Sequence, residues 1–342
     1  MKKSFQWVNI ILILTLSPRL FAADRIITDD AGKNIILSAP ITRIADGWFA
    51  HASLMMTLGA GNKIMATVNH PSSQPWMFKI QPSLNKALLI NGRQFNAEAL
   101  VTHQTELAFV VKGDPQIASL QRVGIPVIQV YFSTLSGLQQ TLQLTAHVLG
   151  DKSSLQKATQ YNQYLNQQLH RIGKKIVKLT ADQRPTVVHI SSLNPLKVDG
   201  KNTLINDWIN IAGGRNVAAI DGNMQPISAE NLLAWQPDII ILAANAGNLL
   251  TCPNASLLAQ LNAITTGNIL RNPSGVFPWD RYGTESALQI QWAAKQFHPQ
   301  LFATDNLVAI TQAFYHQFFN YDLSEQQTKL ILQGLPPLVN AK

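Results

Sequence analysis

Between Gly150 and Pro185 the apolar residues fall at Leu155, Ala158, Tyr161, Leu165, Leu169, Ile172, Ile176 and Leu179, separated by glutamines, lysines and asparagines. Steps of three and four residues place these side chains on one face of a helix. A helix over 154–179 is roughly 40 Å long at ~1.5 Å per residue, about the width of a domain. Gly150 and Asp151 read as the end of one helix and the cap of the next, and Pro185 as a stop. Gly173 is a weak point, costing ~1 kcal/mol against alanine.

On both sides of this helix, short apolar runs alternate with helical patterns. The first half reads as a hairpin over 25–37 about Asp30-Ala31-Gly32, then strands at 43–45, 64–68, 107–111 and 127–130. Helices are expected from Asp46 to Gly59 and over 97–103, 116–123 and 138–149, with a long loop over 69–81. The second half reads as strands at 186–190, 239–242 and 275–277, with helices at 204–212, 229–234, 255–261, 285–296, 307–318 and 324–332. Such alternation predicts an α/β chain with a parallel sheet in each half. One segment recurs. Asn96-Ala97-Glu98-Ala99-Leu100 leads into Thr105-Glu106-Leu107, and Ser228-Ala229-Glu230-Asn231-Leu232 leads into Pro237-Asp238-Ile239, at a constant offset of 132. Each copy is a capped short helix, a turn and a buried strand.

Composition adds little to this picture except at the ends of the range it excludes. Hydrophobic residues make up 46% and charged residues 13%, so the chain carries a substantial core. Lys2 and Lys3, an apolar run from Val8 to Leu16 and Leu20-Phe21-Ala22-Ala23 read as a cleavable signal peptide over 1–23. The apolar run is too short to span a bilayer. Cys252 is the single cysteine, so no intramolecular disulfide forms and no cysteine stands at the cleavage site to take a lipid. The expectation is a soluble periplasmic protein. The formal charge of +8 falls to about +5 without Lys2, Lys3 and Arg19, and scattered charge of that size does not indicate nucleic acid.

Gly59-Ala60-Gly61 lacks the third glycine of a dinucleotide loop, since Ile64 stands there. No nucleophile elbow, zinc-helix motif, phosphate loop or paired-cysteine motif occurs, and no enzyme is expected. In open parallel sheets, ligands sit beyond the carboxyl ends of the strands. That rule selects Trp48, His51, His70, Trp76, Lys112 and Tyr131 in the first half, and Asn194, Trp279, Arg281 and Tyr282 in the second. Aromatic walls suit a bulky, partly apolar ligand. Arg281 suits a carboxylate or phenolate. His51 and His70 are the imidazoles placed to complete the shell of a chelated metal. His103 precedes its strand and belongs at the far end, and His189 lies within a strand and belongs to the core.

The chain resembles the periplasmic binding proteins of ABC importers for ferric siderophores, haem and cobalamin, the class with a helical backbone between lobes. The resemblance is carried by Thr28-Asp29-Asp30-Ala31-Gly32-Lys33, Leu58-Gly59-Ala60-Gly61-Asn62-Lys63-Ile64 and Gly124-Ile125-Pro126-Val127. It continues through Ile211-Ala212-Gly213-Gly214-Arg215-Asn216-Val217, Ser228-Ala229-Glu230, Gln236-Pro237-Asp238 and the stretch from Trp292 to Phe302. Thr105-Glu106 departs from the Pro-Asp usual there. The resemblance implies two Rossmann-like lobes with mainly parallel sheets (24–150 and 184–342), joined by one long rigid α-helix (151–183), with a ligand cleft between them. It implies a small hinge motion and docking to an ABC importer permease dimer through Glu98 and Glu230. It implies no intrinsic cofactor, and a monomer that carries a metal chelate. With only Arg281 and Lys112 as cations on the cleft loops, a small or weakly charged chelate is expected, of the iron–siderophore type. Nickel or cobalt chelates, haem and cobalamin are the alternatives within the class. A chelate-processing enzyme or a sensory module on the same scaffold are the alternatives outside it.

Overall fold

The computed structural model describes residues 24–38, 40–90, 92 and 94–338; the expected signal peptide lies outside them. The first half contains β1 (Arg25–Thr28), β2 (Asn34–Leu37), β3 (Ile44–Asp46), α1 (His51–Thr57), β4 (Ile64–Thr67), α2 (Pro75–Ile80) and β5 (Leu88–Leu89). It continues through α3 (Ala97–Thr102), β6 (Leu107–Val111), α4 (Ile117–Arg122), β7 (Val127–Val130) and α5 (Leu135–Leu149). Then come α6 (Lys152–Ile176), β8 (Thr186–Leu193), β9 (Leu196–Val198), α7 (Leu204–Ile211), β10 (Arg215–Asn216), β11 (Gln225–Pro226), α8 (Ala229–Trp235) and β12 (Ile239–Leu242). The chain ends with α9 (Ala255–Leu258), α10 (Asn262–Thr265), β13 (Ile269–Arg271), α11 (Ser286–Phe297), α12 (Leu307–Phe319) and α13 (Glu325–Leu332). Among the described residues no helix is long and apolar enough to cross a membrane.

β1 and β2 form an antiparallel hairpin. The first sheet runs β5-β4-β3-β6-β7, parallel throughout. The second runs β11-β9-β8-β12-β13, with β10 on β8; its β8, β10, β12 and β13 are parallel, and β9 and β11 return antiparallel. The fold is therefore α/β with two separate, mainly parallel sheets. The sequence repeat has a structural meaning. The Glu106 carboxylate accepts the Thr42 and Arg43 N–H groups at 2.7 and 3.0 Å, and the Asp238 carboxylate accepts the Thr186 N–H at 2.7 Å. In each half the acid before one strand ties down the start of its parallel neighbour, β3 or β8. Glu106 does this work as well as the aspartate at the second position.

α6 separates the two sheets along the chain and contacts both halves. Asp151 caps it through the Ser154 N–H at 2.8 Å. Ala158, Tyr161, Leu165, Ile172 and Ile176 are buried, so the predicted stripe is the packed face. That face meets α1 and α5 of the first half and α7 and α11 of the second. Gly173 lies on the outer face, where an added Cβ would meet nothing within 4 Å.

Three expectations need correction. The stretch 69–81 holds α2, opened by Pro75 at its first turn, where the missing N–H costs nothing. β8 runs on to Leu193 and folds back as β9, so the second sheet has a hairpin where a simple strand end was expected. Residues 275–277 do not form a strand. Their Val276 and Phe277 N–H groups donate to the Glu285 carboxylate at 3.1 and 2.7 Å, which replaces a sheet partner. The strand of that region is β13.

Candidate functional site: the crevice between the two sheets

β3 ends at Asp46, and the Gly47 N–H donates to the Phe109 carbonyl at 2.8 Å. A Cβ on Gly47 would sit 3.0 Å from that oxygen and from the Phe95 ring, so the chain turns here only because glycine is present. The turn delivers Trp48 to the rim. A cavity of about 490 Å³ opens beside it, lined by Gly47, Trp48, Phe49, Val68, Lys112 and Pro115 among others. These residues follow β3, β4 and β6, so the cavity lies at the carboxyl edge of the first sheet. Phe132, just past β7, meets Trp48 edge-on with ring centroids 5.3 Å apart. Tyr282 from the second half completes the group, 6.0 Å from Trp48 and 5.6 Å from Phe132. These are favourable tilted and edge-to-face arrangements. Three rings from two halves of the chain thus meet beside the cavity, with Trp48 on its lining and Phe132, only 3% exposed, behind it. A second space of about 260 Å³ lies between Ser72–Trp76 and Asn245, Ser274 and Leu335.

The loop that carries Tyr282 is anchored on both sides. The Thr284 hydroxyl is 2.7 Å from that of Thr57 on α1, and its carbonyl accepts the Tyr161 hydroxyl of α6 at 2.6 Å. Glu285 is fully buried and accepts hydrogen bonds from Val276 N–H, Phe277 N–H, the Trp279 indole N–H at 2.9 Å and the Tyr315 hydroxyl. Burial pushes its carboxyl up to about 7, against the opposing pull of those donors. The loop of the opposite wall is held as well: Asp207 of α7 accepts the Leu135 N–H at 2.8 Å, just beyond Tyr131 and Phe132.

The floor of the second half is an ion network. Arg281 donates through both terminal nitrogens to Asp199, Nη1 to Oδ1 and Nη2 to Oδ2, each at 3.0 Å. His189 Nδ1 lies 2.7 Å from Asp199 Oδ2, and its Nε2 lies 2.8 Å from Asp280 Oδ2. Burial alone would depress the His189 imidazolium, but the two carboxylates outweigh it and raise its pKa. Burial would raise Asp199, but His189 and Arg281 hold it well below the usual carboxylate range.

The sequence candidates separate accordingly. Trp48, Lys112 and Tyr282 line or border the crevice, and Tyr131 stands on the same rim, 47% exposed. Arg281 reaches the wall with its side chain 17% exposed, yet its fork is already occupied by Asp199. Trp76 borders the second space, with only 2% of its surface exposed and its indole N–H on the Leu335 carbonyl at 2.9 Å. His51 is a correction. It is fully buried, with its ring nitrogens 3.1 Å from Asp46 and 3.0 Å from Thr145, because the first turn of α1 points back into the core. Trp279 is a second, being a core residue bound to Glu285. Asn194 is exposed in the turn between β8 and β9, just past the carboxyl end of β8. His70 is half-buried and its Nε2 is 2.8 Å from the Ile90 carbonyl. The structure does not bring His51 and His70 into one metal shell, and among the described residues no three or more histidine, cysteine or acidic side chains are grouped to hold a metal ion. Glu98 and Glu230 are exposed at the same position of α3 and α8, two residues past the capping Asn96 and Ser228. Sequence reading missed Asp199, Asp280 and Glu285, which lie far from their partners along the chain or within an apparently unremarkable turn.

Residues 56–273 match the family described as periplasmic binding protein. The chain is 25% identical to the molybdate-binding protein MolA of Haemophilus influenzae, over 91% of this chain and 96% of that one. It is 27% identical to the vitamin B12-binding protein of Salmonella typhimurium, over 70% and 79%. The solved structure of MolA bound to molybdate superposes with a TM-score of 0.79 at 20% identity, covering 88% of this chain and 99% of that one. Helicobacter pylori CeuE with Ni(II) bound superposes with a TM-score of 0.74 at 16% identity, covering 90% and 99%.

Proposed function

This chain belongs to the periplasmic binding protein family, and on that premise we propose that it captures a small metal complex of low net charge, of the iron–siderophore type, for an ABC importer. The carrying observation is Trp48 on the lining of a cavity of about 490 Å³, in ring contact with Tyr282 of the second half and backed by the buried Phe132. Ring faces and edges recognise a flat or bulky apolar ligand surface, and such a cavity lies in the range of small-molecule sites. Lys112 and Asp114 place one charge of each sign on its lining, which suits a complex of low net charge. The anchoring of both wall loops supports a stiff holder with slight closure. A second reading, a bare oxyanion, draws on the molybdate-binding relative, whose likeness extends over 91% of this chain. The apolar wall favours the first.

Tryptophan fluorescence and melting temperature test the choice. The panel is a ferric trihydroxamate, a ferric tris-catecholate, haem, cobalamin, nickel–histidine and molybdate. Saturable binding of the ferric trihydroxamate supports the proposal, and preference for the tris-catecholate keeps the iron cargo but contradicts the low net charge. Binding of haem, cobalamin or nickel–histidine keeps the transport role and changes the cargo. Binding of molybdate alone supports the second reading, and turnover of any complex would make the protein an enzyme. A panel without any response overturns the proposal.

Delivery is assigned to Glu98 and Glu230, one on each half, meeting basic residues of a permease dimer while the binding protein is a monomer. Neither carboxylate is in an ion pair among the described residues. The double substitution Glu98→Ala with Glu230→Ala is expected to abolish uptake and leave ligand affinity unchanged. Lost affinity would contradict the assignment.

A further inference from the structure

Arg281 is the cation that a wall facing an anionic ligand would use, and its environment argues against that use. Both of its terminal nitrogens are committed to Asp199 at 3.0 Å. Asp199 is fully buried and also accepts the Met224 N–H at 2.8 Å, so it cannot swing away without stranding that donor. Arg281 Nε is 3.8 Å from Asp280, and His189 is wedged between Asp199 and Asp280. With His189 protonated, two cations face two carboxylates and the group is neutral; with His189 neutral, it carries one negative charge. A fork–fork pair fixes the guanidinium plane as well as its charge.

We infer that Asp199 determines the charge preference of the crevice by holding Arg281 in a bidentate ion pair, which removes that arginine as an anchor for anionic ligands. This rests on the proposal that the crevice takes a metal complex, and it narrows the class to complexes that are neutral or cationic. Across the crevice Lys112 and Asp114 line the same cavity, so the first half places one charge of each sign there and adds no net positive charge. A triply anionic tris-catecholate would meet a wall with no net attraction for it, whereas a neutral or singly positive trihydroxamate would lose nothing there.

The test is charge selectivity. Native protein and Asp199→Asn are titrated with a ferric trihydroxamate and with a ferric tris-catecholate by fluorescence quenching. Asparagine keeps the shape and one acceptor but removes the bidentate partner of Arg281, leaving only Asp280 at 3.8 Å. The affinity of Asp199→Asn for the tris-catecholate is expected to rise at least tenfold over native, with the trihydroxamate held within threefold, because removing one negative charge from that wall favours a triply anionic ligand and leaves a neutral one unaffected. A folded Asp199→Asn without that gain overturns the inference. If Asp199→Asn does not fold, Arg281→Gln decides. Affinities of native and Arg281→Gln that agree within threefold for the tris-catecholate, including binding too weak to measure in both, support the inference, and a tenfold loss overturns it. The two proposals fail separately. A gain in Asp199→Asn, from a native protein that binds no metal complex, removes the transport cargo and leaves the charge assignment. Native binding with no gain in the variant does the reverse.

Discussion

Glu285 gives the most quantitative consequence of this architecture. Its carboxyl is fully buried and pushed from an ordinary value near 4.5 up to about 7, chiefly by desolvation. In the unfolded chain the group ionises near its ordinary value. Between pH 4.5 and 7 the folded protein therefore keeps a proton that the unfolded chain has released. Stability must fall as pH rises through that window, by about 1.4 kcal/mol per unit and by about 3 kcal/mol in all, and level off above it. Glutamine at 285 cannot ionise. Its amide turns two N–H bonds toward groups that the protonated carboxyl meets with a single O–H, a pH-independent penalty of about 1–3 kcal/mol. The expected result is a Glu285→Gln variant less stable than native at pH 5, with the difference moving about 2.5 kcal/mol in its favour by pH 8. Urea unfolding at pH 5, 6, 7 and 8 measures this directly. His189, whose raised pKa gives stability that is also lost with rising pH, is present in both proteins and cancels in the difference. A native-minus-variant difference that stays flat across that range would refute the reasoning.

Other substitutions probe other parts of the structure. Gly173→Ala should stabilise the protein by about 0.5–1 kcal/mol, because the added methyl meets nothing and the helix gains propensity; a lower urea midpoint would contradict the exposed placement of this face. His51→Ala should cost about 2–4 kcal/mol, from lost packing and two stranded partners, yet leave affinity for the metal complex within threefold. A tenfold loss of affinity in folded His51→Ala would restore that residue as a ligand. Trp48→Ala should weaken binding tenfold or more and also cost about 1–3 kcal/mol of stability, since it removes the ring on the cavity lining and its contacts with Phe132 and Tyr282; unchanged affinity in calorimetry would move the site elsewhere.

Much of the frame was legible because its signals are local and periodic. The stripe from Ala158 to Ile176 survives as the packed face of α6, since nothing competes with a 3.6-residue repeat over that length. The repeated cap, helix and strand were legible because Asn96 and Ser228 cap through neighbours three residues away. Errors arose where a side chain replaced a backbone partner. Val276 and Phe277 have strand-forming residue types, but the Glu285 carboxylate takes their N–H groups. The β8–β9 hairpin was hidden because Ser191, Ser192 and Asn194 resemble the polar end of a strand. At the crevice, the strand-end rule selects loops but not the direction of each side chain. Trp48 reaches the rim, while His51, three residues later, turns inward. Arg281 was found without Asp199, because a partner 82 residues away leaves no trace in local pattern.

The most direct measurement of the central claim is native mass spectrometry of the protein taken from the periplasm, with metal analysis of the same sample. The account predicts one protein chain carrying a single small metal complex, neutral or positive in charge, released on denaturation. A chain that carries molybdate or another bare oxyanion, or that carries no metal after growth with every complex of the panel, would contradict it.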